Sequence, residues 1–160
     1  STGVFTNVFA ISSTGAYTGT KLVAQGTADV IVASTAGTTE VEFSQPDNSI
    51  ITSIDIVCTS APTLTGAGDI GFKVGTATGG AQLVAAATDQ ILDGGTTVPA
   101  GAGYNLTLLN TTGSDASPAA SPAANVSGAA RSVFLQITNT VNVSGSNNGN
   151  FRFIVNVQQF

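Results

Sequence analysis

The sequence predicts an all-β protein, an antiparallel two-sheet β-sandwich of the jelly-roll type with about eight strands and at most one short helix. Three observations lead to this fold class. Short runs alternate apolar and polar residues, as half-buried strands do, and Gly, Pro, Asn and Asp interrupt them at short intervals. Only one segment shows helical spacing instead. We expect one domain over residues 1–160, and an open barrel is the alternative architecture.

The first part of the chain contains four short strand candidates. In the last of them, Val41 and Phe43 face one side of the strand while Glu40 and Glu42 face the other. The segment Gln45-Pro46-Asp47-Asn48 then predicts a turn, because Pro presets φ and the Asp and Asn side chains bond to nearby backbone. The four candidate strands are Val4 to Ile11, Lys21 to Ala24, Ala28 to Ala33 and Thr39 to Phe43.

The strongest strand signal runs from Ile50 to Thr59. Strict alternation predicts one face with Ile50, Ile54, Ile56 and Cys58, and an opposite face that includes Ile51 and Val57. Because both faces carry apolar residues, one should pack in the core and the other should be partly covered. A second clear strand follows at Ile70 to Thr76, with inward side chains Ile70, Phe72 and Val74.

The second half of the chain is less regular. The segment Ala81 to Leu92 fits helical spacing, and a short helix and an irregular crossing are equally compatible with it. Tyr104, Leu106 and Leu108 alternate again. The segment 114–125 repeats Ala-Ser-Pro-Ala and predicts a low-complexity, exposed loop. Beyond it, two strands that we expect to form a long hairpin are Val133 to Val143 and Phe151 to Phe160.

Composition excludes several functions. The net charge is −5 and only four residues are Lys or Arg, whereas a nucleic-acid-binding protein neutralises about 6–10 phosphates. We therefore expect no nucleic-acid partner. No apolar stretch approaches the ~20 residues of a membrane helix, so we also expect no membrane partner. The charged fraction is 8%, so the surface must be solvated by hydroxyls and amides.

Catalytic and metal-binding arrangements are poorly supported. There is no histidine, and the remaining acid–base candidates are the pairs Asp89 with Asp93 and Glu40 with Glu42, which are better explained as solvated acids. The loop acids Asp69, Asp89, Asp93 and Asp115 lack the spacing of a calcium loop. The one cysteine, Cys58, has the position of a buried apolar residue. We expect no enzyme activity, no cofactor and no metal.

Two features of the sequence suggest how a partner could bind: the aromatic residues and the edges of the strands. Phe72, Phe151 and Phe153 are expected in the core, whereas Phe5 and Phe9 could either join the core or anchor on a partner. The candidate partner-interface residues are Val4, Phe5, Phe9 and Tyr17. Strands this poor in charge would leave cohesive edges, so we expect neighbouring copies to close some of them, with a homotrimer as one solution.

Two segments resemble a known family. Phe43 to Ile56 contains a Pro turn that leads into an I-I-T-x-I-x-I strand, and Asp69 to Gly80 contains a V-G-T-A turn that opens a Gln-Leu-Val-Ala segment at Gln82 to Ala87. This pattern, over roughly Val41 to Leu92, is similar to that of tailed-bacteriophage head decoration, or cement, proteins. The Ala-Ser-Pro loop is not part of it.

The resemblance implies a β-sandwich that binds the outer surface of a phage capsid, often as a trimer, and bridges capsomers. The implied partner is the major capsid protein, the implied location is the outer surface of the virion, and no catalytic residues carry over. Two other functions stay open. One is a fibre or tail-associated receptor- or glycan-binding module, although exposed aromatics are scarce. The other is a capsid subunit of a small jelly-roll virus, although no basic arm for the genome is present.

Overall fold

Nine strands and no helix make up the part of the chain that the computed structural model describes, which is residues 23–86, 91–109, 124–145 and 147–160. The predicted all-β fold class is thereby confirmed. Within these ranges there is no helix that could cross a bilayer. The strands are β1 (Val23–Ile31), β2 (Gly37–Gln45), β3 (Ser49–Ser60), β4 (Thr63–Gly75), β5 (Leu92–Thr97), β6 (Gly103–Leu106), β7 (Val126–Ser127), β8 (Arg131–Asn139) and β9 (Asn150–Gln159).

The eight longer strands form two antiparallel sheets of four. The first sheet has the order β1-β9-β3-β6, with the two-residue β7 also paired to β3, and the second has the order β2-β8-β4-β5. Successive strands mostly alternate between the sheets, which gives the interleaved order of a jelly roll. Two of the predicted short strands, Lys21 to Ala24 and Ala28 to Ala33, are replaced by the single strand β1.

The predicted hairpin between Val133 to Val143 and Phe151 to Phe160 is wrong. These segments form β8 and β9, which lie in different sheets. β8 is inserted between β2 and β4, and β9 is inserted between β1 and β3. Each strand thereby gains two hydrogen-bonded neighbours rather than one, and the two apolar faces meet across the core instead of lying side by side.

The core lies between the two sheets, and Phe72 of the second sheet is at its centre. Its ring packs edge-on against Phe151 and Phe153 of the first sheet, with centroid distances of 5.5 and 5.4 Å and interplanar angles of 72° and 84°. Aromatic pairs favour this edge-to-face geometry. All three rings are buried, as predicted, and Cys58 is buried with them. The surrounding core includes Ile51, Ile54, Ile56, Ile70, Val74, Leu135, Ile137, Val155 and Val157.

A β-bulge changes the faces of β3 from those predicted. The register with β9 shifts between Ile51 and Ser53, which leaves Thr52 as the extra residue. Ile51 and Ile54 are therefore both buried, while Ile50 is only partly covered. The predicted assignment of Ile50 to the core face and Ile51 to the opposite face is wrong, because alternation fails across a bulge.

The segment Ala81 to Leu92 is irregular wherever the structure describes it. Val84 forms a bridge with Val74 at the edge of β4, and Leu92 begins β5, so the helical alternative does not hold for 81–86 or 91–92. Residues 87–90 lie outside the described ranges. The predicted strand Val4 to Ile11 also lies outside them, as does the low-complexity loop up to residue 123.

We predict that Phe72→Ala lowers the free energy of unfolding by about 3–5 kcal/mol, because it removes both ring contacts and leaves a cavity between the sheets. Phe160→Ala is the matched control, since the Phe160 side chain is 72% exposed, and it should change the free energy of unfolding by less than about 0.5 kcal/mol. Urea denaturation measures both. Equal effects would contradict the central role of Phe72.

Candidate partner-binding surfaces

The outer face of the first sheet is crossed by a ladder of hydrogen bonds that joins amide and hydroxyl groups to the carboxylate of Asp55. Asn156 on β9 is its centre: its Oδ1 accepts from Gln25 Nε2 at 3.2 Å, and its Nδ2 donates to Ser53 Oγ at 2.7 Å. On the far side of β3, Asn105 Nδ2 donates to Asp55 Oδ1 at 2.7 Å. The ladder joins β1, β9, β3 and β6, so its side chains are already held in place before any partner arrives.

One ion pair lies on the same face. Arg152 Nε and Nη2 donate to the two carboxylate oxygens of Asp29, at 2.8 and 2.9 Å. The hydrogen bond from Arg152 lowers the pKa of Asp29, and the same bond raises the pKa of Arg152. Both side chains are about half exposed, so solvent weakens the attraction, and the two charges cancel. Among the described residues, the carboxylate of Asp55 is then the uncompensated charge on this face.

A glycine-rich turn, residues 76–82, covers part of the outer face of the second sheet. Lys73 Nζ donates to Gly79 O at 3.0 Å, Gly79 N donates to Glu40 Oε2 at 3.1 Å, and Gln136 Nε2 donates to Gly80 O at 3.3 Å. Gln136 points outward from β8, yet only 2% of it is exposed because the turn lies over it. The turn thus occupies surface that a partner could otherwise contact.

The glycines of this turn explain the V-G-T-A pattern seen in the sequence. A Cβ on Gly75 would lie 2.4 Å from the carbonyl carbon of Gly80, and one on Gly80 would lie 2.8 Å from Ala77 O. Gly79 has a φ of +71°, which side-chain-bearing residues rarely adopt. Only glycine lets the turn approach the sheet this closely.

Arg131 lies at the end of the sandwich where the low-complexity segment returns. Its Nε donates to Gln45 Oε1 at 2.8 Å and its Nη2 donates to Ala124 O. Gln45 Nε2 in turn donates to Asn125 O at 3.1 Å, and Asn125 Nδ2 donates to Ile51 O at 2.9 Å. Burial lowers the pKa of Arg131. This cluster fastens the end of the segment to both sheets.

Sequence analysis missed the Arg131 cluster, although one signal for it was present. Alternation along β2 places Gln45 on the same inward face as Phe43, and an inward amide needs buried partners. Gln45 is fully buried, and Asn125, the last residue of the loop predicted to be exposed, is only 2% exposed.

The predicted partner-interface residues Val4, Phe5, Phe9 and Tyr17 lie outside the described ranges. The structure therefore neither brings them together nor separates them.

Three of the candidate acids make hydrogen bonds that serve the fold, Asp93 is exposed, and Asp89 and Asp115 lie outside the described ranges. Glu40 accepts from the backbone of Gly79, Glu42 accepts from Ser132 Oγ, and Asp69 Oδ1 accepts from Gly94 N at 2.9 Å. In residues 23–86, 91–109, 124–145 and 147–160, no three His, Cys, Asp or Glu side chains are grouped so that they could hold a metal ion. Burial raises the pKa of the Cys58 thiol, which disfavours its reactive thiolate form.

The fold is similar to that of solved phage capsid structures. A chain of the capsid of Ralstonia phage GP4 aligns with a TM-score of 0.51 and 15% identity, over 86% of this chain and 84% of that chain. A chain of the Cyanophage Pam1 capsid asymmetric unit aligns with a TM-score of 0.48 and 17% identity, over 97% of this chain and 94% of that chain. By sequence, no known protein family and no curated protein matches this chain.

We predict that Gly75→Ala destabilises the protein by about 1–3 kcal/mol, because the added methyl group displaces the turn from the sheet. Gly66→Ala on the same strand is the control, since nothing lies within 4 Å of its added Cβ. Thermal unfolding of the two variants measures the difference. A Gly75→Ala variant as stable as Gly66→Ala would show that the close approach is not required.

We predict that Asp29→Asn lowers stability at pH 7 and that the deficit disappears in acid. The pKa of Asp29 is lowered in the folded state, so its contribution is complete above its unfolded value of ~3.9 and is lost as the pH falls through the folded value. Urea midpoints at pH 7 and at about pH 2 measure the deficit. Asp93→Asn, an exposed acid outside this ion pair, is the control, and an equal pH dependence in both variants would contradict the prediction.

Proposed function

We propose that this chain is a non-enzymatic structural protein of a phage virion, a head decoration or cement protein that binds the outer capsid surface and bridges capsomers. The observation that carries the proposal is the jelly-roll fold shared with a chain in the capsid of Ralstonia phage GP4. That match covers 86% of this chain and 84% of that chain, so the two are of comparable size. The family resemblance of the segments around Phe43 to Ile56 and Asp69 to Gly80 supports the same function.

The proposed mechanism is mechanical. A rigid sandwich that binds across a capsomer boundary adds contacts that must break before the shell can open. The first sheet offers neutral groups that are already hydrogen-bonded, so little side-chain entropy is lost when they are covered. A specific interface of about 1,600 Å² per copy is typical, and many copies on one shell make the total large.

The proposed partners are the major capsid protein and further copies of this chain, as a homotrimer. The edge strands β1 and β2 have no strand neighbour on their outer sides within the described residues. Unpaired strand edges favour pairing with another chain. We include Val4, Phe5, Phe9 and Tyr17 in the proposed partner interface, because they belong to the apolar segment that directly precedes β1.

A capsid subunit is the second candidate function. It is favoured by the same comparison, since the neighbouring chain comes from a structure described as a capsid. The two functions differ in whether the protein is required for the capsid shell to close. A subunit is required for a closed shell to form, whereas a decoration protein is added to a shell that other subunits have already closed.

We predict that deletion of the gene from its phage leaves closed heads of normal size that open at a lower temperature than complete heads. Purified protein added back should bind these heads at a fixed ratio to the major capsid protein and restore the opening temperature. Electron microscopy of the heads, protein stoichiometry by mass spectrometry and a thermal release assay for DNA measure these outcomes.

Failure to form any closed head after deletion would favour the capsid-subunit function. Absence of the protein from purified virions would contradict all of these virion functions. Presence on the tail rather than the head, together with retention on a glycan array, would favour the receptor-binding module. Density for separate single copies on the head, rather than for three copies around a threefold axis, would contradict the trimer alone.

A further inference from the structure

Four loops at one end of the sandwich form a surface without a single ionisable side chain. We call this surface the loop end: it comprises residues 32–36, 61–62, 98–102, 140–145 and 147–149. Every charged residue that the structure describes lies on a strand, apart from Asp47 in the loop at the opposite end. On the first sheet, Asp29 and Arg152 neutralise each other, and on the second sheet the backbone of Asp69 bonds to Thr140 at the margin of the loop end.

The loop end is held together by hydrogen bonds between its loops. Val143 N donates to Ser34 O at 3.0 Å, and Ala36 N donates to Asn142 Oδ1 at 2.9 Å. The side chains of Ser60, the last residue of β3, and Asn147 bond to each other. These contacts join two strand connections and the end of β3, so the surface is preorganised and its binding costs little ordering entropy.

The buried amide of Asn139 and a close approach between Gly149 and Pro62 also hold the loops of this end in place. Asn139, only 2% exposed, points its Nδ2 at the carbonyl oxygens of Ala33, Thr35 and Val141, at 3.1, 3.3 and 2.8 Å. Gly149 has a φ of +79°, and a Cβ on it would lie 2.6 Å from Pro62. The loop end is therefore a built surface rather than a set of independent loops.

The chemistry of the loop end selects its partner. Its exposed residues are small, among them Ser34, Ala36, Ala100 and Gly101, and they lose little rotamer entropy when covered. Charged residues are depleted in the centres of protein–protein interfaces, because burying a charge costs more than burying a hydroxyl or amide. The loop end also contains no aromatic residue on which a sugar ring could stack, which argues against a glycan as its partner.

We propose that the loop end is the surface that docks on the capsid shell, against an uncharged, hydrogen-bonding protein surface. This inference rests on the proposed function and adds to it the docking face and the chemistry of the partner. The sandwich would then stand on the shell on its loop end, with the Arg131 cluster and the last residues of β9 at the opposite end.

The test adds purified variants back to heads that lack the protein. Ala100→Glu and Ala100→Lys should each weaken binding roughly tenfold or more, because either sign of charge must be desolvated against a neutral partner. Ser34→Glu tests the same surface on another loop. Ala129→Glu is the matched control, since Ala129 is equally exposed in a loop at the opposite end, and it should bind like the unchanged protein. Thermal unfolding confirms that all variants are folded.

Salt provides a second, independent readout. Binding of the unchanged protein should vary less than about twofold between ~0.05 and ~0.5 M salt, since screening acts on charges that this contact lacks. Tighter binding by either Ala100→Lys or Ala100→Glu would show a charged partner and overturn the proposed chemistry. Loss of binding with Ala129→Glu, together with full binding of the Ala100 and Ser34 variants, would overturn the docking face while the proposed function stood. Failure of the unchanged protein to bind heads would overturn both.

Discussion

The contact of Phe72 with Phe151 and Phe153 ties the two sheets together, and the placement of every other group depends on it. These rings pack edge-on at the centre, and the inward positions of both sheets around them are filled by apolar side chains. Hydroxyl and amide groups must then lie on the outer faces, at the ends of the strands or in the loops. The neutral character of those outer surfaces, on which the proposed function depends, follows from a sequence that supplies few charges to put there.

Neutral amides take the structural roles that ion pairs often fill. Gln45 fastens the returning low-complexity segment, Gln136 holds the glycine-rich turn, and Asn139 holds the loop end. An amide costs less to bury than a charge, and its two N–H groups let one side chain join several backbone carbonyls, as Asn139 does. Loops fixed in this way by amides gain no charge, which is consistent with the proposed uncharged contact surface.

Local pattern predicted the strands well and their pairing poorly. The alternation of Ile70, Phe72 and Val74 was enough to place them in the core, because a strand with one buried face shows it within a few residues. The bulge at Thr52 could not be predicted from the sequence, because the extra residue shifts the alternation but is of no distinctive residue type. Nor could pattern show that β8 and β9 separate, because two strands with apolar faces can pair side by side or face each other across a core.

The candidate surfaces divide in the same way. The V-G-T-A turn was recognisable from its glycines, but its seat on Glu40, Lys73 and Gln136 depends on three strands that are distant in the chain. The Arg131 cluster and the loop end also join residues far apart in sequence, and neither has a local signature.

The sequence by itself determined the all-β class, the inward positions of most strands and the shortage of charge. These properties are set by residue type and by short-range alternation. Only the tertiary structure decided which strands pair, where the bulge falls and which four loops gather into one uncharged end. Those outcomes depend on hydrogen bonds and ring contacts between segments that are far apart in the chain. A short stretch of sequence does not show the strength of such contacts.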